Sequence, residues 1–209
     1  MTNDYQRQTA VRALAGELLD ALYTFRESDE ERAPTFSLLP TGEKANRVFI
    51  VGVLMDTEDV GTENEFWKAE IMDLTGDSYY AFAGKYQQEA AAAFERLESP
   101  AYVAMTAKVD VYETDDDGLN VCLTPESVTE VDQESRDQWV RETVAQTLDR
   151  VEAFRSGAGG PYAEMAAQQY GESVSEYVDS AVEALERLEG EEEAVGAESD
   201  SGGEPVSAD

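Results

Sequence analysis

Histidine is absent from the 209 residues, and cysteine occurs once. Without histidine there is no Ser-His-Asp triad and no Cys-His pair, and a lone cysteine cannot complete a zinc cluster. One cysteine also excludes an internal disulfide framework. Basic residues are scarce: 15 Lys and Arg face 46 Asp and Glu, a formal net charge of -31, and four of the 15 are lysine. Neither common phosphate-cradling loop, GxxxxGK[ST] or GxGxxG, occurs. No apolar run approaches the ~20 residues of a spanning helix, so no membrane partner is expected. The N-terminus, MTNDYQRQTA, lacks a basic-then-apolar signal segment, which points to a cytoplasmic protein. The composition leans away from an enzyme, and no cofactor or metal is expected.

What is present is a folding chain. Its hydrophobic content, 42%, is too high for a disordered acidic sequence. A folded protein this acidic repels itself in dilute buffer. At molar salt the Debye length falls to ~3 Å and that repulsion is largely screened. The acidity is therefore the expected composition of a protein from a salt-in halophile.

Hydrophobic spacing divides the chain. Val11, Leu14, Leu18, Leu22 and Phe25 recur at intervals of three and four, predicting a helix over 4–25 with Asn3 or Asp4 as cap. A charged link ends at Pro34, so 1–34 reads as N-terminal helix and linker. TFSLL is a short apolar segment and PTGEKAN a turn. From Arg47 the period becomes two. RVFIVGVLMDTEDVG is a long strand, and EFWKAEIMDLTGDSYYAFAGKY is two strands around Thr75-Gly76-Asp77. QQEAAAAFERLE favours helix, and Pro100 stops it. AYVAMTAKVDVYE and LNVCLTPESVTEVD are two further strands, joined by TDDDG. A partner helix follows over 133–156, striped by Val140, Val144, Leu148, Val151 and Phe154. Residues 161–189 are again helical, with a break near Gly171. The tail, 190–209, is acidic, has little to bury and is expected to be disordered.

Three strands, a helix and two strands over 35–132 is the plan of an OB-fold. The predicted class is mainly β: a five-stranded OB-fold barrel, β-β-β-α-β-β, with an N-terminal helix and C-terminal helices. The segments PTGEKANRVFIVGVL, FWKAEIMDLTGDSYYAFAGKYQQEAA, SPAYVAMTAKV and LNVCLTPESVTEVD also resemble the archaeal replication protein A family. Within it they are most similar to haloarchaeal replication protein A-associated proteins, which are similar to the middle subunit of the trimeric complex. The likeness spans about residues 4–155. It implies single-stranded DNA binding in replication and repair, a hetero-oligomer with a larger replication protein A subunit, and packing of the helix over 133–156 with equivalent helices of that assembly. The Cys/His zinc finger of some archaeal replication proteins is missing here.

An OB-fold holds single strands where aromatic rings stack on bases and cations follow phosphates. On the second and third strands, Phe66, Lys68, Tyr80 and Phe82 are candidates. Trp67 shares a more apolar face with Ala69 and Ile71, which suits core, and is carried as a candidate for its ring. Lys44, Arg47, Lys85 and Lys108 complete the set. All four lysines fall in this segment, in a chain that otherwise avoids lysine. The competing description of each is plain: an aromatic in a strand is commonly core, and a lysine is commonly a solvated charge. TDDDG resembles a calcium loop faintly, with Asp115 and Asp117 at ligand spacing. Thr124 in place of the bidentate acid makes it a hairpin turn. Cys122, in an apolar alternating strand, reads as core. The net charge favours a second function, a protein-interaction subunit with little DNA contact, because a polyanion repels DNA in dilute buffer. Molar salt weakens that objection.

Overall fold

The computed structural model describes residues 9–30, 33–115 and 118–200. The expected caps at Asn3 and Asp4, Asp117 of the TDDDG turn, and the tail residues 201–209 lie outside them.

Five strands close into a barrel: β4 (Arg47–Asp59), β5 (Trp67–Met72), β6 (Ser78–Ala83), β7 (Ala101–Glu113) and β8 (Leu119–Glu130), in the order β4-β5-β6-β8-β7. All neighbours are antiparallel except β6 and β8, which run parallel with Ala81 opposite Leu123. Period-two sequence makes this possible, because alternate side chains go to opposite faces. Val48, Ile50, Leu54, Ala69, Ile71, Tyr79, Ala81, Val103, Met105 and Leu123 fill the interior. Each large apolar side chain so buried contributes ~1.5–3 kcal/mol. The helix α2 (Gln88–Arg96), between β6 and β7, packs Ala90, Ala91 and Phe94 into the same core. The predicted β-β-β-α-β-β order is the observed one. The chain is an OB-type barrel with flanking helices.

The N-terminal segment differs from its expectation. The helix α1 is only Ala15–Leu19. Val11 instead makes a parallel bridge to Val48, with Val11 N–H donating to Arg47 O and Phe49 N–H donating to Val11 O, both 2.9 Å. Thr24–Arg26 forms a strand, β1, paired with β2 (Thr35–Leu38), which in turn pairs with β3 (Lys44–Ala45). A three-to-four spacing of apolar residues suits a helix, but Val11 and Phe25 are good strand formers, and partners distant in sequence claimed them. Buried Glu17 ties this segment to the C-terminal layer: Arg150 donates to it at 2.6 Å, and Thr41 Oγ1 donates to it as well.

The C-terminal layer consists of α3 (Gln133–Ser156), α4 (Gly160–Tyr170) and α5 (Ser175–Asp200). Asp132 caps α3 by accepting from Ser135 N–H at 2.9 Å. Trp139 fastens α3 to the barrel, its indole N–H donating to Phe49 O at 3.0 Å. The stripe expected to await a partner is therefore largely used within the chain. Val140 and Val144 are buried in the main core beside Ala181, Ala184 and Leu188 of α5. Val151 packs with Val174 and Tyr177, and Phe154 lies against them. Leu148 alone among the five is exposed, at 36%. The helix α5 also runs on past Gly190, where a disordered tail was expected. Glu191 accepts from buried Arg136 at 2.6 Å and Glu192 pairs with Arg141, so two of those acids meet cations on α3.

Candidate nucleic-acid interface

The outward faces of β5 and β6 carry the candidate site. Cross-strand register sets Lys68 opposite Phe82, Glu70 opposite Tyr80 and Met72 opposite Ser78. Their inward neighbours, Ala69, Ile71, Tyr79 and Ala81, are core. Phe66, at the mouth of β5, is 43% exposed and stacks on Phe82 with ring centroids 5.7 Å apart and planes 16° from parallel. Lys68 Nζ lies 5.0 Å from the centroid of the Tyr80 ring. Three aromatic rings and one cation thus occupy adjoining positions, all at least partly open to solvent.

The loop before β5 is built to present Phe66. Asp59 accepts from Gly61 N–H at 3.0 Å and from Phe66 N–H at 2.9 Å. These backbone bonds, that from Phe66 foremost, hold the Asp59 carboxyl below its ordinary value. Gly84 completes the seat, because a Cβ there would stand 3.0 Å from the Phe66 ring.

Register extends the face around the barrel. From Ala81 opposite Leu123, one step along places Phe82 beside Thr124. Thr124 is opposite Lys108, and Lys108 is opposite Arg47. One rung of the outer surface therefore reads Lys68, Phe82, Thr124, Lys108, Arg47. Beside it, residues 85–90 and the β7–β8 pair enclose a groove of about 570 Å³ lined by Lys85, Tyr86, Lys108, Thr124 and Glu126. Tyr86 is 82% exposed, with Lys85 Nζ 4.8 Å from its ring centroid. Tyr86 is not among the residues that the sequence singles out. Its one signal is its place next to a rare lysine, just beyond the third barrel strand.

Other candidates are placed elsewhere. Arg47 is buried, and its guanidinium donates to Glu126, one bond being 2.5 Å. It is a paired cation rather than an open phosphate contact. Lys44 lies in the small sheet, over Phe36 at 4.7 Å and Tyr162 at 5.0 Å, and its Nζ is 2.6 Å from Glu27. Trp67 is half-buried and packs against the core, as its face suggested. The Thr75-Gly76-Asp77 turn is occupied as well. Asp73 accepts from Thr75 N–H at 2.8 Å and from Ala15 N–H at 2.7 Å, and Arg187 of α5 donates to Leu74 O at 3.1 Å. Burial raises the Asp73 carboxyl above its ordinary value. Cys122 is half-buried on the outer surface opposite Asp110, where burial foremost, and then Asp110, raise its thiol to about 11. It is neither core nor a thiolate.

No protein-family model matches the sequence, and no curated protein matches it. Solved structures do. The chain is similar to one in the crystal structure of the S. pombe Stn1-Ten1 complex, at 10% identity over 69% of this chain and 96% of that one, with a TM-score of 0.56. It has weaker likeness to the S. cerevisiae mitochondrial single-stranded DNA-binding protein Rim1 (21% identity, 41% and 92% covered, TM-score 0.32). A similar likeness is to an OBody bound to hen egg-white lysozyme (15% identity, 42% and 94% covered, TM-score 0.36). At 10% identity the Stn1-Ten1 likeness concerns the fold. Among the described residues no helix is long and apolar enough to cross a membrane.

Proposed function

We propose that this chain is a non-enzymatic, single-stranded DNA-binding OB-fold subunit of a replication protein A-type complex in a halophilic archaeon, acting in replication or repair. The observation that carries it is the outward set of Phe66, Phe82 and Tyr80 with Lys68 among them. Strands two and three of an OB-fold are where oligonucleotides bind, and rings there stack on bases whatever the sequence. Stacking needs no phosphate contact, so it suits a chain of charge -31 working at molar salt. The resemblance in sequence supplies the replication protein A assignment, and the acidity supplies the halophile.

The test is fluorescence-detected binding of labelled oligo-dT in molar KCl, with and without a larger replication protein A subunit. Binding that falls on Phe82→Ala supports the assignment. No binding at any salt, alone or in complex, overturns it in favour of a protein-interaction subunit. Assembly is tested at Leu148, the exposed member of the α3 stripe. Leu148→Asp is expected to weaken copurification with the larger subunit at unchanged melting temperature. Val144→Asp would instead place a carboxylate in the core and unfold the layer.

A further inference from the structure

We propose that a bound single strand continues beyond the β5–β6 face, crossing β6 and β8 into the groove between residues 85–90 and the β7–β8 pair, where Tyr86 forms a second base platform between Lys85 and Lys108. This rests on the single-strand assignment above and names the path.

Three observations carry it. The first is the distribution of lysine. Of the four, Lys44 is closed on Glu27. Lys68, Lys85 and Lys108 make no ion pair among the described residues, in a protein with 46 acids. Those three surround Phe82 and the groove beside it. An acidic surface that leaves its open lysines together offers a local complement to a polyanion.

The second is continuity. Lys68, Phe82, Thr124 and Lys108 follow one rung of the barrel surface. Strands stand ~4.8 Å apart, so Phe82 and Lys108 are separated by ~10 Å. That is well inside the ~4–16 nucleotides one OB-fold occupies.

The third is Tyr86. It is 82% exposed and contributes little to the core, yet Lys85 lies over its ring and the groove opens beside it. The two acids of the groove are muted as repellents. Glu126 is paired with Arg47, and Glu89 stands in the first turn of α2, where the helix dipole favours a negative charge.

Oligo-dT of two lengths separates the path from the primary face. In molar KCl, the full chain is titrated with labelled strands of roughly 3 and 15 nucleotides, the shorter sufficient for the Phe66, Phe82 and Tyr80 rings but not for those rings and the groove together. Tyr86→Ala is expected to weaken the longer strand at least about fivefold, the effect of losing one stacked base, and to leave the shorter unchanged. Phe82→Ala weakens both. Lys85→Ala with Lys108→Ala reproduces the length-selective loss in moderately reduced salt, while the protein stays folded and phosphate contacts matter more. The melting temperature of Tyr86→Ala stays at the wild-type value, because the ring is outside the core. If wild type binds both strands and Tyr86→Ala binds them equally well, the path is wrong and the primary face stands. Equal weakening of both lengths also overturns it, by making Tyr86 part of the primary face. If wild type binds neither strand at any salt, alone or with the larger subunit, the single-strand assignment itself fails, and the path with it.

Discussion

Lys44 and Lys68 each lie about 5 Å from an aromatic centroid, yet their surroundings differ. Lys44 is enclosed by Phe36 and Tyr162, donates to Glu27, and joins the small sheet to α4. Lys68 lies over Tyr80 beside the Phe66–Phe82 stack and makes no ion pair among the described residues. The residue types are nearly the same. A carboxylate separates a cation that cements the fold from one left available to a phosphate. In this protein of charge -31, Lys44 is the one lysine of the four that meets a carboxylate among the described residues.

The largest effect expected is that of salt on both regions together. Moving from molar to dilute KCl restores repulsion among dozens of like charges, and the melting temperature is expected to fall steeply. Circular dichroism across a KCl series checks it. A level melting temperature would remove the halophile argument and leave the two lysines in an ordinary acidic protein.

Next comes truncation of the rings. Phe82→Ala is expected to cost about 1–3 kcal/mol of oligo-dT affinity at molar salt. Lys44→Ala is expected to leave affinity unchanged and to lower stability by about 1 kcal/mol, through lost ring contacts. Melting and titration of both variants give a crossed pattern if the comparison holds. Affinity lost in Lys44→Ala would show that the small sheet also meets DNA.

A subtler separation comes from pH. Burial opposes the Lys44 charge, but hydrogen bonds to Glu27 and Tyr162 outweigh it and raise the ammonium above the ordinary 10.5. The bond from Lys44, then that from Tyr162, lowers Glu27 below 4.5. A raised lysine contributes stability that is full below its unfolded value and is lost as pH rises through the folded one. A lowered carboxylate contributes stability that is present above its unfolded value and is lost as pH falls through the folded one. Lys44→Ala is therefore expected to narrow its stability gap to wild type at both extremes, as measured by melting across pH. An unchanged gap would show that ring packing alone makes up the Lys44 contribution.

The smallest effect belongs to Lys68→Ala at molar KCl. Counterion release contributes little there, so affinity is expected to change by less than for Phe82→Ala. In moderately reduced salt, while the protein stays folded, the difference between the two variants is expected to shrink.

Much of the barrel was legible because period-two alternation is a local record of a two-sided strand. Ala69 and Ile71 announce an inward face before any partner is known, whereas on Ser78–Ala83 both faces are apolar and burial of Tyr79, Ala81 and Ala83 decided between them. The outward placement of Lys68 follows from the same parity, and cross-strand register carries Phe82 and Tyr80 to its side. The segment over 4–25 misled because apolar spacing does not record pairing: Val11 and Phe25 joined strands reached only in the folded chain. The stripe of α3 misled differently. A run of buried valines is the same in sequence whether it meets another subunit or, as here, the barrel and α5 of its own chain.

By itself the sequence determined the five strands, the intervening helix, the inward side of the second barrel strand, and the exclusion of histidine- and disulfide-based chemistry. These rest on composition and on short periods, which neighbouring residues carry between them. Only the tertiary structure decided which cations are open. Arg47 meets Glu126 79 residues away, and Lys44 meets Tyr162 118 residues away. Lys68, Lys85 and Lys108 meet no such partner among the described residues. Charge pairing acts over a few ångströms of space, whatever the distance along the chain, so neither spacing nor composition records it.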